Sequence, residues 1–510
     1  MLARVFSSEL EGVDAQLIEI EVDTNVGLHS FAIVGLADKA LSEAKERVNS
    51  ALKNSGFKPP NRENRKITVS LAPANLQKTG SQYDLAIAVG YLLSSGQIKN
   101  FAADQRLFLG ELSLDGGLRP VRGALSVASL GVKKGFRELI LPKTNAAEAS
   151  LIAGINVCPA ENLLQVIDHL EEKNILPAVP PNQPREESFP EIDIADIRGQ
   201  EAAKRALIIA AAGGHNLLMV GPPGSGKTML AKSLPSILPP LVIEEIIEIS
   251  KIWSAAGLLS EEIPRVNFRP FRQPHHSASV AAIVGGGANP RPGEISLAHR
   301  GVLFLDELPE FRRDILEALR QPLEAGYITV SRIKDSLVFP ARFQFVAAMN
   351  PCPCGYYNDP EKECRCSAYE IFRYQKKISG PLLDRIDIQI SVPRLKMEHL
   401  RSSPEKNSSE IKDTVRKARE LQRKRFLDRG ENAFSNNEMS SKMCEKIVGL
   451  TKEADEFIKK AFDRSLLSAR GYFRLLKVSR TIADLEESGQ VGLDHVAEAF
   501  QYRLRTEYLA

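Results

Sequence analysis

The chain has 510 residues, 43% hydrophobic and 26% charged, with a net charge of +3. That length divides into two to four domains, each able to bury its own core, and the composition is that of an ordinary soluble globular protein. No apolar run reaches membrane-spanning length, and acidic residues break the N-terminal MLARVFSSELEGVDAQ where a signal peptide needs its apolar core, so a cytoplasmic location with no membrane role is expected. The small net charge confines any nucleic-acid surface to local patches, and six cysteines in so long a chain are no disulfide framework.

Residues 1–176 read as a mixed α/β domain. Alternation over 15–22 and 67–71 predicts strands, and the spacing of apolar residues over 38–54, with Gly56 behind it, predicts a helix. A second helix is expected near 85–93, and strands at 107–112 and 138–142 flank a third near 121–131. The stretches Gln77-Lys78-Thr79-Gly80-Ser81 and Gly116-Gly117-Leu118-Arg119, through Leu141-Pro142, resemble the proteolytic domain of Lon proteases. That resemblance implies a serine nucleophile activated by a lysine, but Gln82 falls at the serine position and Val121 or Arg119 at the lysine position. An arginine stays protonated and cannot be that base. Ser81 is one register away. The expectation is a scaffold or docking domain without peptidase activity.

Residues 177–190, with five prolines and no helical period, read as an extended linker. The next module, 191–400, begins with Gly199-Gln200 and a helix running to Ala212. The apolar run 217–220 then leads into GPPGSGKT. Gly221, Pro222, Pro223, Gly224, Ser225 and Gly226 form this phosphate loop, in which Gly221, Gly224 and Gly226 let backbone N–H groups close around the phosphates. Lys227 reaches the β- and γ-phosphates and Thr228 holds Mg²⁺. Val302-Leu303-Phe304-Leu305 ends in Asp306, a second Mg²⁺ ligand, and Glu307, which orients or deprotonates the attacking water. The strand 343–349 ends at Asn350, which suits the sensor-1 role. Arg385, in Gly380-Pro381-Leu382-Leu383-Asp384-Arg385, resembles the arginine finger of ring ATPases, and Arg470 matches the sensor-2 arginine.

These stations are similar to those of the magnesium-chelatase-like AAA+ family that includes the YifB and competence protein ComM group. The likeness extends through FRQPHHSAS, GGGANPRPGEISLAHRGVLFLDELPEF, AAMNPCPCGY, SGPLLDRID and SARGYFRLLKVSRTIADL. It implies an α/β P-loop AAA+ core, a parallel sheet flanked by helices. A Lon-protease-like domain precedes that core, and a C-terminal helical lid over 410–510 closes on the nucleotide and brings Arg470 to the phosphates. It also implies ATP and Mg²⁺ as cofactors, a homo-hexamer, and a motor that promotes DNA branch migration in natural transformation, helped by a loader. A remodeller or chelatase-type ATPase with a protein client stays open beside it.

Lys227 and Asp306 are 79 residues apart, and the excess lies in 268–292. This stretch resembles the helix-2 insertion of the helicase and chelatase clade, with Gly285-Gly286-Gly287 as a flexible tip and Arg269, Arg272 and Arg291 facing DNA phosphates. Alternation over 327–339 predicts a hairpin whose tip carries Arg332 and Lys334, a second candidate DNA contact. Adjacent His275 and His276 suit hydrogen-bonding or pore contacts better than a metal. Cys352, Cys354, Cys364 and Cys366 suit either a structural Zn²⁺ or packed reduced thiols. Residues 402–409 form a polar break before a basic helix at 410–429, and a well-patterned helix is expected over 472–487.

Overall fold

The structure is a computed structural model, and it describes residues 2–36, 41, 43–62, 64–180, 192–287, 290–331, 336–395, 408–431, 433–464 and 467–503. The linker expected at 177–190 lies largely outside the described residues, as do Arg332, Lys334 and the polar break at 402–407.

The N-terminal domain is built on strands β1 (Leu2–Glu11), β2 (Asp14–Val26), β3 (Ser30–Val34), β4 (Arg65–Ala72), β5 (Arg106–Phe108), β6 (Glu138–Pro142) and β7 (Asn156–Ala160). They form one mixed sheet in the order β3-β4-β2-β1-β5-β6-β7. Helices α1 (Ala44–Asn54), α2 (Asp84–Ser94), α3 (Ala124–Lys134) and α4 (Leu163–Leu170) accompany it, with a shorter helix at Lys143–Ala149. β1 escapes the sequence reading for a physical reason: Ser7, Ser8 and Glu9 are buried in it, so its polar residues mask the alternation. α3 begins later than expected because Gly123 sits in the left-handed region at φ 77°, immediately before the first helical residue. Every residue of α2 is buried, and at its first position Asp84 is held 2.6 Å from the Arg47 guanidinium.

The second module contains α5 (Glu201–Gly213), β8 (Leu217–Val220), α6 (Lys227–Ile237), α7 (Ile243–Ala256), β9 (Phe271–Arg272) and β10 (Val302–Leu305). A hairpin, β11 (Tyr327–Ser331) and β12 (Ser336–Pro340), is followed by β13 (Gln344–Met349) and β14 (Ile388–Ser391). Apart from the hairpin, these strands form a parallel sheet in the order β9-β10-β13-β8-β14. β10 and β13 are buried at every residue, as parallel strands covered on both faces must be, and each buried Leu or Phe contributes about 1.5–3 kcal/mol. Pairing of Leu305 with Ala347 and of Val220 with Met349 aligns the C-terminal ends of three strands. Asp306, Asn350 and Gly221 therefore emerge along one edge.

The expected insertion is only partly an excursion. Phe271 and Arg272 are consumed as the edge strand β9, and Gly285 and Gly286 pair with Pro292 and Arg291 in a short antiparallel ladder, so this part of the glycine run is no free tip. The C-terminal helices α8 (Ser408–Leu427), α9 (Ser441–Ile447), α10 (Lys452–Asp463), α11 (Ala469–Leu485) and α12 (Leu493–Gln501) share one apolar cluster with α5, α6 and the central strands. The N-terminal domain also docks on this module. Val13 enters the cluster around β10 and the hairpin, and Lys251 Nζ donates to Ser129 Oγ at 3.1 Å. Among the described residues no helix is long and apolar enough to cross a membrane.

Candidate nucleotide site

The loop after β8 is shaped by two constraints. A Cβ on Gly221 would lie 2.1 Å from the Val392 carbonyl oxygen, so only glycine lets the loop leave the sheet beside β14. Gly224 and Gly226 have φ of 77° and 87°, the left-handed turns that aim backbone N–H groups inward before α6 starts at Lys227. Gln200, ahead of α5, donates from Nε2 to the Pro393 carbonyl at 2.7 Å and to the Ser225 carbonyl at 3.3 Å, bracing the loop from outside.

Lys227 Nζ donates to the carbonyls of Gly221 (2.7 Å) and Pro222 (2.9 Å) and lies 3.4 Å from Asn350 Oδ1. Burial lowers its pKa to about 8, against the opposing pull of Asp306. Thr228 Oγ1 donates to Asp306 Oδ2 at 2.8 Å, so a hydroxyl and a carboxylate converge at the start of α6, the hard-oxygen pair that Mg²⁺ takes. Asp306 Oδ1 accepts from the Glu307 N–H at 2.9 Å. Glu307 has φ 52° and ψ 48°, a conformation that costs a non-glycine residue about 1–3 kcal/mol and clusters at functional sites. The phosphate loop, Asp306, Glu307 and Asn350 are thus brought together at one sheet edge.

His276 joins them. Because Arg272 pairs with Leu303 in parallel register, the chain after β9 runs alongside Phe304 to Glu307. His276 Nδ1 comes within 3.7 Å of Glu307 Oε2, its ring is stacked 4.1 Å from His275, and it lies edge-on to Phe311. The contact between His276 and Glu307 depends on sheet register and has no local sequence signal.

Arg385 and Arg470 do not join them. Asn216, just before β8, donates from Nδ2 to the Arg385 carbonyl at 3.0 Å, placing Arg385 at the opposite end of the strand. Four strand residues, about 13 Å, separate the two ends. Arg385 donates to the Pro381 carbonyl at 2.7 Å and to Glu324, while its Nε is buried without a partner. Arg470 Nη2 reaches the same Glu324 at 3.4 Å. The C-terminal helices therefore do not carry Arg470 to the phosphate loop of its own chain: they pack on α5 and α6, and the N-terminus of α11 faces the other edge. Arg385 and Arg470 line a cavity of about 840 Å³ with Arg269, Arg300, Arg419 and Arg474.

Two arginines expected to face DNA are engaged within the chain. The Arg269 guanidinium donates to the carbonyls of Pro239 and Arg300, both at 2.7 Å, and to Glu245 at 3.0 Å. Arg272 is held bidentate by Glu294 at 2.6 and 2.7 Å and lies over the Trp253 ring. Both guanidinium groups tie the insert to the sheet, and internal carboxylates occupy the hydrogen bonds a phosphate would need.

In the N-terminal domain Ser81 Oγ donates to Glu111, and Gln82 Nε2 donates to Glu9 at 3.1 Å. Both side a cavity of about 910 Å³ that no lysine lines among the described residues. Lys78 is fully buried and donates to the Pro73 carbonyl.

The four clustered cysteines meet. Sγ of Cys352 lies 3.4 Å from Cys354 and 3.7 Å from Cys364, Cys354 lies 3.6 Å from Cys364, and all four sulfurs fall within 4.8 Å of one another.

The family described as Magnesium chelatase, subunit ChlI, matches residues 193–400; Subunit ChlI of Mg-chelatase matches 20–145; and the ChlI C-terminal family matches 405–503. The chain is 46% identical to Competence protein ComM of Haemophilus influenzae, over 100% of this chain and 98% of that protein. It is 43% identical to YifB of Escherichia coli, over 96% of this chain and 95% of that one. It is 23% identical to the magnesium-chelatase subunit ChlI of Euglena gracilis, over 59% of this chain and 80% of the relative. With the phosphate loop, Asp306, Glu307 and Asn350 assembled on one edge of a parallel sheet, the chain belongs to the magnesium-chelatase-like family of ComM and YifB.

Proposed function

We propose that the chain is an ATP-hydrolysing ring motor that binds DNA and promotes branch migration. The observation that carries the ring is the division of one catalytic set between two sheet edges. Lys227, Thr228, Asp306, Glu307 and Asn350 sit at one, Arg385 and Arg470 at the other. A neighbouring copy in a head-to-tail ring brings the second edge against the first, and a homo-hexamer closes such an arrangement. Lys227 then offsets phosphate charge, Thr228 and Asp306 hold Mg²⁺, and Asn350 and Glu307 place the water, with Glu307 taking its proton. MgATP supplies the transferable phosphoryl group. Arg385 and Arg470 of the neighbour stabilise the charge that develops on it. Without that neighbour, turnover is slow.

The DNA reading rests on the hairpin strands β11 and β12, between which the sequence carries Arg332 and Lys334, and on the similarity to a protein named for competence. The N-terminal domain acts as a docking scaffold without peptidase activity. The missing serine at Gln82 and the absence of a lysine among the described residues lining its cavity support that role. The location we propose is cytoplasmic. The test is ATPase turnover with branched, duplex and single-stranded DNA and with unfolded protein. Strong stimulation by branched DNA, lost in an Arg332→Ala/Lys334→Ala variant that keeps basal turnover, is the expected result. No response to any DNA rejects the motor on DNA in favour of a protein client.

A further inference from the structure

We infer that Cys352, Cys354, Cys364 and Cys366 bind one zinc ion and that this metal knuckle forms a wall of the phosphate loop, so that metal loading sets nucleotide affinity. The inference rests on the proposed nucleotide site and adds a metal-dependent control to it.

The sulfur geometry is the first argument. Zinc–thiolate bonds of about 2.3 Å in a tetrahedron place the sulfurs about 3.8 Å apart. The three measured separations, 3.4, 3.6 and 3.7 Å, are close to that spacing. They are far beyond a disulfide bond of about 2.05 Å, and the cysteines are free. The Tyr357 backbone N–H points at Cys352 Sγ at 3.3 Å, an outer hydrogen bond of the kind that supports a metal-bound thiolate.

The second argument is what the knuckle touches. Gly355, one residue after Cys354, has φ 85°, and a Cβ built on it would lie 2.5 Å from Cδ and 2.8 Å from Cγ of Pro223, within the phosphate loop. On the knuckle's N-terminal side, Asn350 contacts Lys227, and the intervening Pro351 carbonyl accepts from Gln375 at 2.9 Å. On its far side the Arg394 guanidinium lies over the Tyr356 ring, 5.3 Å from its centroid, and Arg394 Nε is 3.7 Å from buried Asp359. Arg394 follows Pro393, the residue braced by Gln200. The knuckle is therefore packed between the loop that cradles phosphate and the segment that supports it. Four short-range tethers to one ion fix a stretch that contains no regular secondary structure up to the helix Ala368–Gln375. Without the ion, Pro223 and Asn350 lose their backing, and the loop has to be ordered by the nucleotide itself.

The experiment uses the full chain. Zinc is quantified by mass spectrometry and by mercurial release, and the affinity for a fluorescent ATP analogue is measured before and after chelation. Stoichiometric zinc, affinity weakened by about tenfold or more on stripping, and recovery on adding zinc alone are expected. Cys354→Ser and Cys366→Ser should lose zinc and affinity together and not recover. Chain with no bound zinc, or stripped chain with unchanged affinity, overturns the inference. Where stripping melts the chain, Gly355→Ala decides: it keeps all four thiolates but presses on Pro223. Full zinc with weakened ATP binding is expected, and full zinc with unchanged binding refutes the coupling. A wild-type chain that holds zinc but binds no nucleotide would instead refute the proposed nucleotide site.

Discussion

The lowered pKa of Lys227 gives a prediction with a definite sign and size. Burial holds the amine at about 8 in the chain without nucleotide. A bound triphosphate brings negative charge against Nζ and raises that pKa, so binding takes up a proton wherever the free lysine is deprotonated. The free amine is about nine-tenths protonated at pH 7 and about one-tenth at pH 9, so ATP affinity should fall by about tenfold between those values, roughly 1.4 kcal/mol. Below pH 7 the curve should flatten, because the amine is already charged. Titration calorimetry of MgATP binding from pH 6.5 to 9.5, in buffers of differing ionisation enthalpy, reads both the affinity and the proton uptake. The uptake should be about half a proton at pH 8. Lys227→Arg keeps a permanent charge, so its weaker binding should be flat with pH. A flat wild-type curve, or the same slope in the arginine variant, would refute the assignment of the titration to Lys227.

Other consequences follow from single contacts. His276→Ala should lower turnover by about tenfold while leaving nucleotide affinity within about twofold, because it frees the Glu307 carboxylate without touching the phosphate loop; His276→Asn should recover part of the loss. Steady-state kinetics beside direct binding would separate this from a folding defect, which moves both. Glu148, buried in the N-terminal domain, has its pKa raised to about 7 by burial, although Asn145 donates to its Oε1 at 2.8 Å. The folded carboxyl holds its proton where the unfolded one has lost it, so this group costs stability as pH rises from about 4.5 to 7, by up to about 3 kcal/mol. Glu148→Gln should be more stable than wild type at pH 8 and similar to it at pH 4.5, as read by thermal unfolding across that range. A gap independent of pH would rule out the titration as its cause.

What the sequence reveals and what it hides divide along the distance over which each feature is determined. The phosphate loop is readable because its requirements are local: glycines at Gly224 and Gly226 for positive φ, Lys227 and Thr228 at the first turn of a helix. The buried strands ending in Asp306 and Asn350 are readable for the same reason, as unbroken apolar runs. β1 is hidden because Ser7, Ser8 and Glu9 are buried in it, and only Glu9 shows its reason in the fold, accepting from Thr79 and Gln82. The placement of Arg470 is hidden too. A helix N-terminus can be located in sequence, but which sheet edge it faces depends on how α11 packs on α5. Arg269 and Arg272 look like surface cations until the structure supplies Glu245 and Glu294, which lie 24 and 22 residues away. Cys352 to Cys366 mark a candidate metal site by spacing, but only packing reveals that Gly355 rests on Pro223.

The central claim is that one chain's phosphate loop is completed by another chain's arginine, and a mixing experiment tests it most directly. Lys227→Ala and Arg385→Ala chains, each nearly inactive alone, are co-assembled in equal amounts and assayed for ATP hydrolysis. Randomly mixed rings should pair an intact loop with an intact arginine at about a quarter of their interfaces and recover a corresponding share of wild-type turnover. Turnover no higher than the average of the two variants measured separately would contradict completion in trans.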